Sequence, residues 1–368
     1  MKSKRVVYIG NNPTPYRIPV FNEVARQPDF DFLTLFSTPR EPMREWDLPP
    51  IEFAHEYMDV RYFNMRSEPV HLNWDVFKRL RAHRPDLIII SGFNPTCLLA
   101  YLYALFTGTK LGLAIDGTPQ SESHLGLLHR WVRTLVCPKL SLYLGPSDQT
   151  LELCDTFGAQ PTEKFKTHLC ANNAIFSPLP AGETPEYDLI FCGRFADRKN
   201  PLFAVDLAAR VSEKLGREIS LLMVGSGPLE QETRAHAARQ KGVRCSFPGF
   251  ASQAQLPAMY RQAKIFIFPT SDDPWGVVAN EACATGLPVV VTPHAGVVGE
   301  LVVDGVNGHV LPLDLQRWAQ AVADLLTQPE TYARMSAQSL ELVKAYTYAQ
   351  AADGLIAGIR FALKSIRH

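Results

Sequence analysis

The chain has 368 residues, of which 46% are apolar and 20% charged, with 37 Lys and Arg against 37 Asp and Glu and a formal net charge of zero. That length suits two domains of ordinary size, and the apolar share lets each bury its own core. The charge balance excludes a protein built around a polynucleotide, which needs a basic excess, but not one that binds a diphosphate through a local cationic site.

In chain order, the basic start Met1–Arg5 runs into Val6-Val7-Tyr8-Ile9 and stops at Asn11-Asn12-Pro13. The apolar run is too short for a signal peptide and reads as a first buried strand. The loop that follows holds Thr14, Tyr16 and Arg17, and Arg17 is placed either to reach a phosphate or to cap the first helix. Short apolar runs at 6–10, 32–36, 87–91, 111–115 and 140–144 predict parallel strands, and 18–26, 74–83, 95–106 and 125–136 predict helices between them. The longest strongly apolar run, 97–106, cannot span a bilayer, so the chain reads as soluble. The strand at 111–115 ends in Asp116-Gly117, either a sugar-contacting carboxylate or an ordinary turn pair. His124 is a second polar candidate in this half.

A Pro-rich stretch at 177–185 marks a boundary, and the alternation restarts with strands at 188–192, 220–224, 265–268 and 288–291. The pattern predicts an α/β protein of two Rossmann-like, doubly wound domains facing a cleft: 1–180, 186–345, and a last helix within 346–368. The seven cysteines are odd in number and form no C-x-x-C pair. That fits a reducing cytoplasm rather than a disulfide framework or a zinc site.

The densest segment is 269–290. A strand ends at Phe268, Gly276 opens a helix, Asp273 precedes it and Glu281 lies about two turns in. A helix start offers unpaired amides, here those of Val277 and Val278, to a phosphate. Two carboxylates so spaced can hold hydroxyls at opposite ends of an elongated ligand. The turn 191–201 carries Arg194 and Lys199 after the first strand of the second domain. Fixed cations there can stabilise a departing diphosphate. Gly225 in the Val224–Pro228 turn either lets a ligand approach the backbone or simply forms the turn.

Residues 269–290 resemble the E-x-F-G-x4-E-A-x-A-x-G-x-P-V signature of family 4 of the retaining glycosyltransferases, with Asp273, Trp275 and Glu281 at the acidic, aromatic and acidic positions. The turn 191–201 is similar to that family's G-R-x5-K segment, and Gly249 lies in a loop similar to the one that meets the nucleotide base. The resemblance implies the GT-B fold and retaining transfer from a nucleotide sugar (UDP- or GDP-linked) to a glycan or lipid-linked acceptor in bacterial polysaccharide or glycolipid synthesis. It implies Asp273 at the sugar, Glu281 at the ribose, and Arg194 and Lys199 at the pyrophosphate. Gly225, Gly249, Gly276, Val277 and Val278 complete the donor site. Asp116, Arg194, Lys199 and Asp273 are the catalytic candidates, and Thr14, Tyr16 and Arg17 form an acceptor or phosphate loop. Aspartate for glutamate at 273 shortens that arm by one methylene.

No cofactor and no essential metal is expected, because Asp272 and Asp273 are adjacent rather than spaced as Asp-x-Asp. No nucleic acid partner is expected either. The basic and apolar stretches 77–84 and 129–133 suit either a peripheral contact with the inner face of the cytoplasmic membrane or ordinary solvated helix faces. Two other functions fit the same motifs: a nucleotide-sugar epimerase of this fold, and a catalytically silent partner of another transferase.

Overall fold

The computed structural model describes residues 3–40, 47–60, 62–65, 68–123, 125–180 and 182–364. His124 lies outside them. The chain forms two compact units, residues 1–169 with 348–368, and residues 170–347.

The first unit contains strands β1 (Lys4–Gly10), β2 (Phe30–Phe36), β3 (Ala54–Tyr57), β4 (Tyr62–Met65), β5 (Glu68–His71), β6 (Leu87–Ile90), β7 (Lys110–Ala114), β8 (Tyr143–Gly145) and β9 (Lys164–Lys166). Its helices are α1 (Ile18–Ala25), α2 (Val76–His83), α3 (Pro95–Thr107), α4 (Pro119–Glu122), α5 (Leu127–Val136) and α6 (Asp148–Asp155). The second unit contains α7 (Pro201–Leu215), α8 (Glu230–Ala237), α9 (Leu256–Arg261), α10 (Val277–Ala284), α11 (Leu315–Thr327) and α12 (Pro329–Leu342). Its strands are β10 (Tyr187–Cys192), β11 (Ile219–Val224), β12 (Val243–Gly249), β13 (Ala263–Phe268), β14 (Val289–Val291) and β15 (Gly308–Val310). The last helix, α13 (Tyr348–Lys364), belongs to the first unit.

Each unit is built on a parallel sheet, in the order β3-β2-β1-β6-β7-β8-β9 in the first and β12-β11-β10-β13-β14-β15 in the second. The central strands are buried throughout and almost wholly apolar, as Leu87–Ile90 and Ile219–Val224 show, because helices cover both faces of such sheets. In both, strand order reverses beside the first strand, between β1 and β6 and between β10 and β13. Loops leaving the carboxyl ends there diverge and leave a crevice, the usual ligand position in this architecture.

The first unit's core joins Val7, Ile9, Ile88 and Leu113 of the sheet to Val76 and Leu80 of α2, Ala100 and Ala104 of α3, and Val136 of α5. α13 is tied to the same unit by Arg360 to Asp29 (2.9 and 3.0 Å) and by Lys110, whose ammonium donates to the Ala362 carbonyl at 2.7 Å. The second core packs β10, β11 and β13 against α7 and α11, with Trp318 fully buried.

Two expectations need correction, and two edge strands of the first unit were not foreseen. The boundary falls ahead of the Pro-rich stretch, at Leu169/Cys170. The segment between is already fastened to the second unit: Asn173 donates to the carbonyls of Val343 and Tyr346, and Phe176 packs edge-on against Tyr260. The turn holding Gly249 is the last part of strand β12, not a free loop; Pro248 is tolerated because β12 is an edge strand and its missing N–H leaves no ladder bond unmade. The short strands β3 and β9 went unforeseen because Ala54-His55-Glu56-Tyr57 and Lys164-Phe165-Lys166 are polar edge strands with no apolar run.

Asp188 opens the second unit at the end of the sheet opposite the crevice. It is buried, receives Arg217 at 2.9 and 3.1 Å and Lys264 at 3.0 Å, and accepts from the Ser220 amide. Burial alone would raise its pKa, but these cations and the amide outweigh it and hold the carboxyl down at about 2. A depressed carboxyl contributes stability above its unfolded value that is lost as pH falls through the folded one. Asp188→Asn is therefore expected to cost about 2 kcal/mol at neutral pH and nothing near pH 2, measured by urea unfolding. An equal cost at both pH values would contradict the ion-pair account.

Candidate active site

In the second unit the turn after β10 places Arg194 in solvent, where its side chain makes no hydrogen bond or ion pair among the described residues. The chain then makes a short turn in which Asn200 adopts φ 51°, its amide fastened to the Pro269 carbonyl at 2.7 Å and to Ser271 at 2.8 Å. That clip joins the β10 loop to the β13 loop. It brings Lys199 to Asp273, 74 residues on: the ammonium donates to Asp273 Oδ2 and lies 4.9 Å from the centre of the Phe268 ring. Burial disfavours the Lys199 charge and lowers its pKa, while Asp273 acts against that loss. Asp273 also accepts from the Trp275 amide at 3.2 Å and lies 3.7 Å from Arg198. Arg198 donates to the Asp272 carbonyl at 2.7 Å and is part of this cluster. Only the turn geometry tells it from a solvated neighbour.

Gly276 precedes α10 with φ 104°, and a Cβ there would lie 2.5 Å from the Phe268 ring, so both backbone and space require glycine. The first-turn amides of α10, at Val277 and Val278, have no intrahelical acceptor, as at any helix start. Trp275 is buried and donates from Nε1 to Asn280 at 2.8 Å, which locks the helix entry.

Glu281 faces inward from the same helix and is buried, and its Oε2 has no hydrogen-bond partner among the described residues. Burial pushes its carboxyl up to about 7, and the Tyr260 hydroxyl offsets only part of that. Cys192 at the end of β10 is a further buried neighbour, its thiol pushed up to about 12 by burial and by Glu281. An unpartnered buried oxygen is costly, and it can accept a hydrogen bond from a donor that reaches it.

Gly225 and Gly249 meet at the ends of β11 and β12, where the Gly225 amide donates to the Gly249 carbonyl at 2.8 Å. A Cβ on Gly225 would lie 2.0 Å from the Gly193 carbonyl oxygen, at φ 128°. Its glycine is thus already required by packing within the fold. Gly225→Ala is expected to cost about 2 kcal/mol of stability, read from the urea midpoint. A variant as stable as the parent would show that this turn gives way.

In the first unit a cavity of about 260 Å³ opens where β1, β6 and β7 end, lined by Asn12, Thr14, Tyr16, Arg17, Ser91 and Asp116 among others. Arg17 caps the start of α1 through its backbone position only, with no side-chain cap bond. Its guanidinium instead donates to Asp116 at 2.6 Å across 99 residues. Burial works against the Arg17 charge, but Asp116, Tyr8 and Tyr16 outweigh it and raise its pKa. The Thr14 hydroxyl is buried without a partner beside this pair. The cavity therefore offers a cation, a half-exposed carboxylate and an unpaired hydroxyl, a set suited to a polyhydroxylated or anionic ligand.

The fold is that of the GT-B glycosyltransferases, two Rossmann-like units each on a parallel sheet. The crystal structure of Anabaena HepE in complex with UDP-glucose superposes over 97% of this chain and 99% of that one, with a TM-score of 0.73 and 15% identity. Residues 178–341 match the family described as Glycosyl transferases group 1, so the second unit is the part of the chain that carries that family's pattern. The D-inositol 3-phosphate glycosyltransferase of Corynebacterium glutamicum is 32% identical over 178 residues, 45% of this chain and 41% of the relative. The alpha-D-kanosaminyltransferase of Streptomyces kanamyceticus is 28% identical over 173 residues, 46% of this chain and 44% of the relative. The matches thus span less than half the length of either relative.

Proposed function

We propose that the protein is a retaining glycosyltransferase that takes a sugar from a UDP- or GDP-sugar and passes it to a glycan or lipid-linked acceptor in bacterial polysaccharide or glycolipid synthesis. The observation that carries this reading is the Glu281 carboxylate, buried with one oxygen unpartnered behind a free helix start and the Lys199–Asp273 pair. A ribose diol supplies the donor that Oε2 lacks, and a pyrophosphate suits the Val277 and Val278 amides together with Lys199. Similar proteins fit this reading, since one solved neighbour holds UDP-glucose and the relatives carry glycosyltransferase names.

In the reaction, the bond from the anomeric carbon to the diphosphate oxygen breaks and the acceptor oxygen bonds to that carbon on the same face. The acceptor proton passes to a phosphate oxygen of the leaving group. Lys199 meets the charge that grows on the diphosphate, and Arg194 is free to close on it. Asp273 holds Lys199 in place and charged, and its free lone pairs are available to the sugar hydroxyls. Asp116, aligned by Arg17, is the carboxylate of the acceptor-side cavity. The chemistry so described needs no divalent metal.

Thermal unfolding against a panel of nucleoside diphosphates and their sugars, with and without EDTA, tests the donor site. One base should stabilise the chain by about 3 kcal/mol at a hundredfold excess over its dissociation constant, unchanged by EDTA. Incubation with acceptor glycolipids and NMR of the product anomer then test transfer and retention. No stabilisation by any nucleotide would sink the reading. Stabilisation with a changed sugar and no acceptor would replace it with an epimerase.

A further inference from the structure

Helix α5 is built inside out. One of its two arginines, Arg133, turns inward, pairing with Glu122 at 2.6 Å and lying 4.5 Å over the Phe93 ring, with Val136 buried beside it. Val132 and Val136 pack on the core, but four larger apolar residues turn outward, with Leu127 84% exposed, Leu128 70% and Trp131 61%, and Leu135 exposed one turn on. A solvated helix of a globular protein shows the opposite distribution. The neighbouring helix α3 repeats it: Leu102, Leu105 and Phe106 are exposed, Phe106 by 84%. The two helices touch, since the Tyr101 hydroxyl donates to the Leu135 carbonyl at 3.0 Å. Among the described residues, half of the exposed large apolar side chains therefore sit on two adjoining helices.

The charge of this region has one sign. No Asp or Glu occurs between Asp86 and Asp116 or between Glu122 and Asp148, the two stretches that form α3, α5 and their ends. Arg130 and Lys139 are exposed beside the apolar stripe. On α2, which meets α3 through Phe77 and Tyr103, Lys78, Arg81 and Arg84 are exposed as well. The acids nearest α2, Glu56 and Asp75, are already paired with Arg79.

We propose that the α3–α5 face docks on a bilayer surface that contains anionic lipid. Leucine, phenylalanine and tryptophan enter the headgroup boundary while Arg130 and Lys139 meet the lipid phosphates. A protein partner of ordinary composition would meet this face with acids of its own; a bilayer needs only apolar depth and a negative plane. The proposal rests on the surface of the first unit, not on the donor reading, and its test uses neither nucleotide nor sugar.

The full chain is sedimented with vesicles of phosphatidylcholine and phosphatidylglycerol, and with vesicles of phosphatidylcholine alone. The mixed vesicles should bind it about tenfold or more tightly, and the advantage should shrink at high salt. Replacing Leu127, Leu128 and Trp131 together by serine should weaken binding to the mixed vesicles by about 100-fold. Arg130→Glu with Lys139→Glu should remove the preference for anionic lipid. Both variants change exposed side chains, and their circular dichroism should match the parent; should the serine variant misfold, the charge variant and the emission shift of Trp131 on vesicles, absent in Trp131→Phe, decide the matter. Failure of the parent chain to bind mixed vesicles overturns the proposal. So does binding that survives in the serine variant. A dimer that forms through this face and disappears in the serine variant, without vesicle binding, would assign the face to a second copy of the chain instead.

Discussion

Lys199→Ala is expected to lower turnover by about 100- to 1000-fold, the cost of removing one preorganised charge from a departing group. The diphosphate gains a negative charge as the sugar leaves, so the ammonium interacts more strongly with the leaving group than with the intact donor. The Michaelis constant for the donor should therefore move less than turnover, while the free nucleoside diphosphate should bind about tenfold more weakly. Steady-state kinetics and calorimetry separate the two. Asp273→Asn extends the test. Lys199 is buried against the Phe268 ring and its pKa is already lowered by that burial, with Asp273 the chief opposing influence. Without that carboxylate the ammonium deprotonates more readily, so the alkaline limb of the pH–rate profile should move to lower pH. Turnover within about threefold of the parent in Lys199→Ala would place the pyrophosphate elsewhere.

Glu281 should make both stability and nucleotide binding depend on pH. Its carboxyl is pushed up to about 7 by burial, from an ordinary value of 4.5. Between those values the folded state holds a proton that the unfolded state has released. Stability from this group is thus full below pH 4.5 and falls as pH rises to 7, by about 3 kcal/mol in all. Glu281→Gln should abolish that slope and leave the free protein up to about 3 kcal/mol more stable than the parent at pH 8, read from urea unfolding between pH 5 and 8.5. Ribose hydroxyls donate best to the ionised form. The nucleotide should therefore bind more tightly as pH rises through 7, with uptake of the ligand releasing a proton below that. In Glu281→Gln, affinity should fall by about tenfold or more and lose its pH dependence. A parent whose stability is flat over this range, or a variant that keeps the slope, would show that the carboxylate is not buried in the free protein.

Much of this was readable in one dimension. The short continuous apolar runs and the intervening amphipathic stretches located most of the central strands and their helices, because a parallel strand covered on both faces has to be largely apolar. Positions 194, 199, 273, 276 and 281 stand out by residue type and by their placement after strands. Polar edge strands escaped because nothing buries them. So did the true boundary, since Asn173 and Phe176 look like linker until their partners at Val343, Tyr346 and Tyr260 are known.

Which side chains meet is another matter. Arg17 finds Asp116, and Lys199 finds Asp273, because strand order reverses beside β1 and β10 and delivers distant loops to one crevice; spacing along the chain carries no trace of that. Neither reading left open for Arg17 foresaw Asp116 as the partner of its guanidinium, which only the fold reveals. The same holds for burial. Periodicity assigns the apolar side of a helix to the core, and for α5 that rule inverts, because Glu122 and Phe93 draw Arg133 inward and turn the leucines out. Local sequence set the alternation of strands and helices and the chemistry carried on each loop. The tertiary structure alone decided the partners, the burial that raises the Glu281 carboxyl and the face on which α3 and α5 leave apolar side chains exposed, since all three depend on which atoms exclude water from which others.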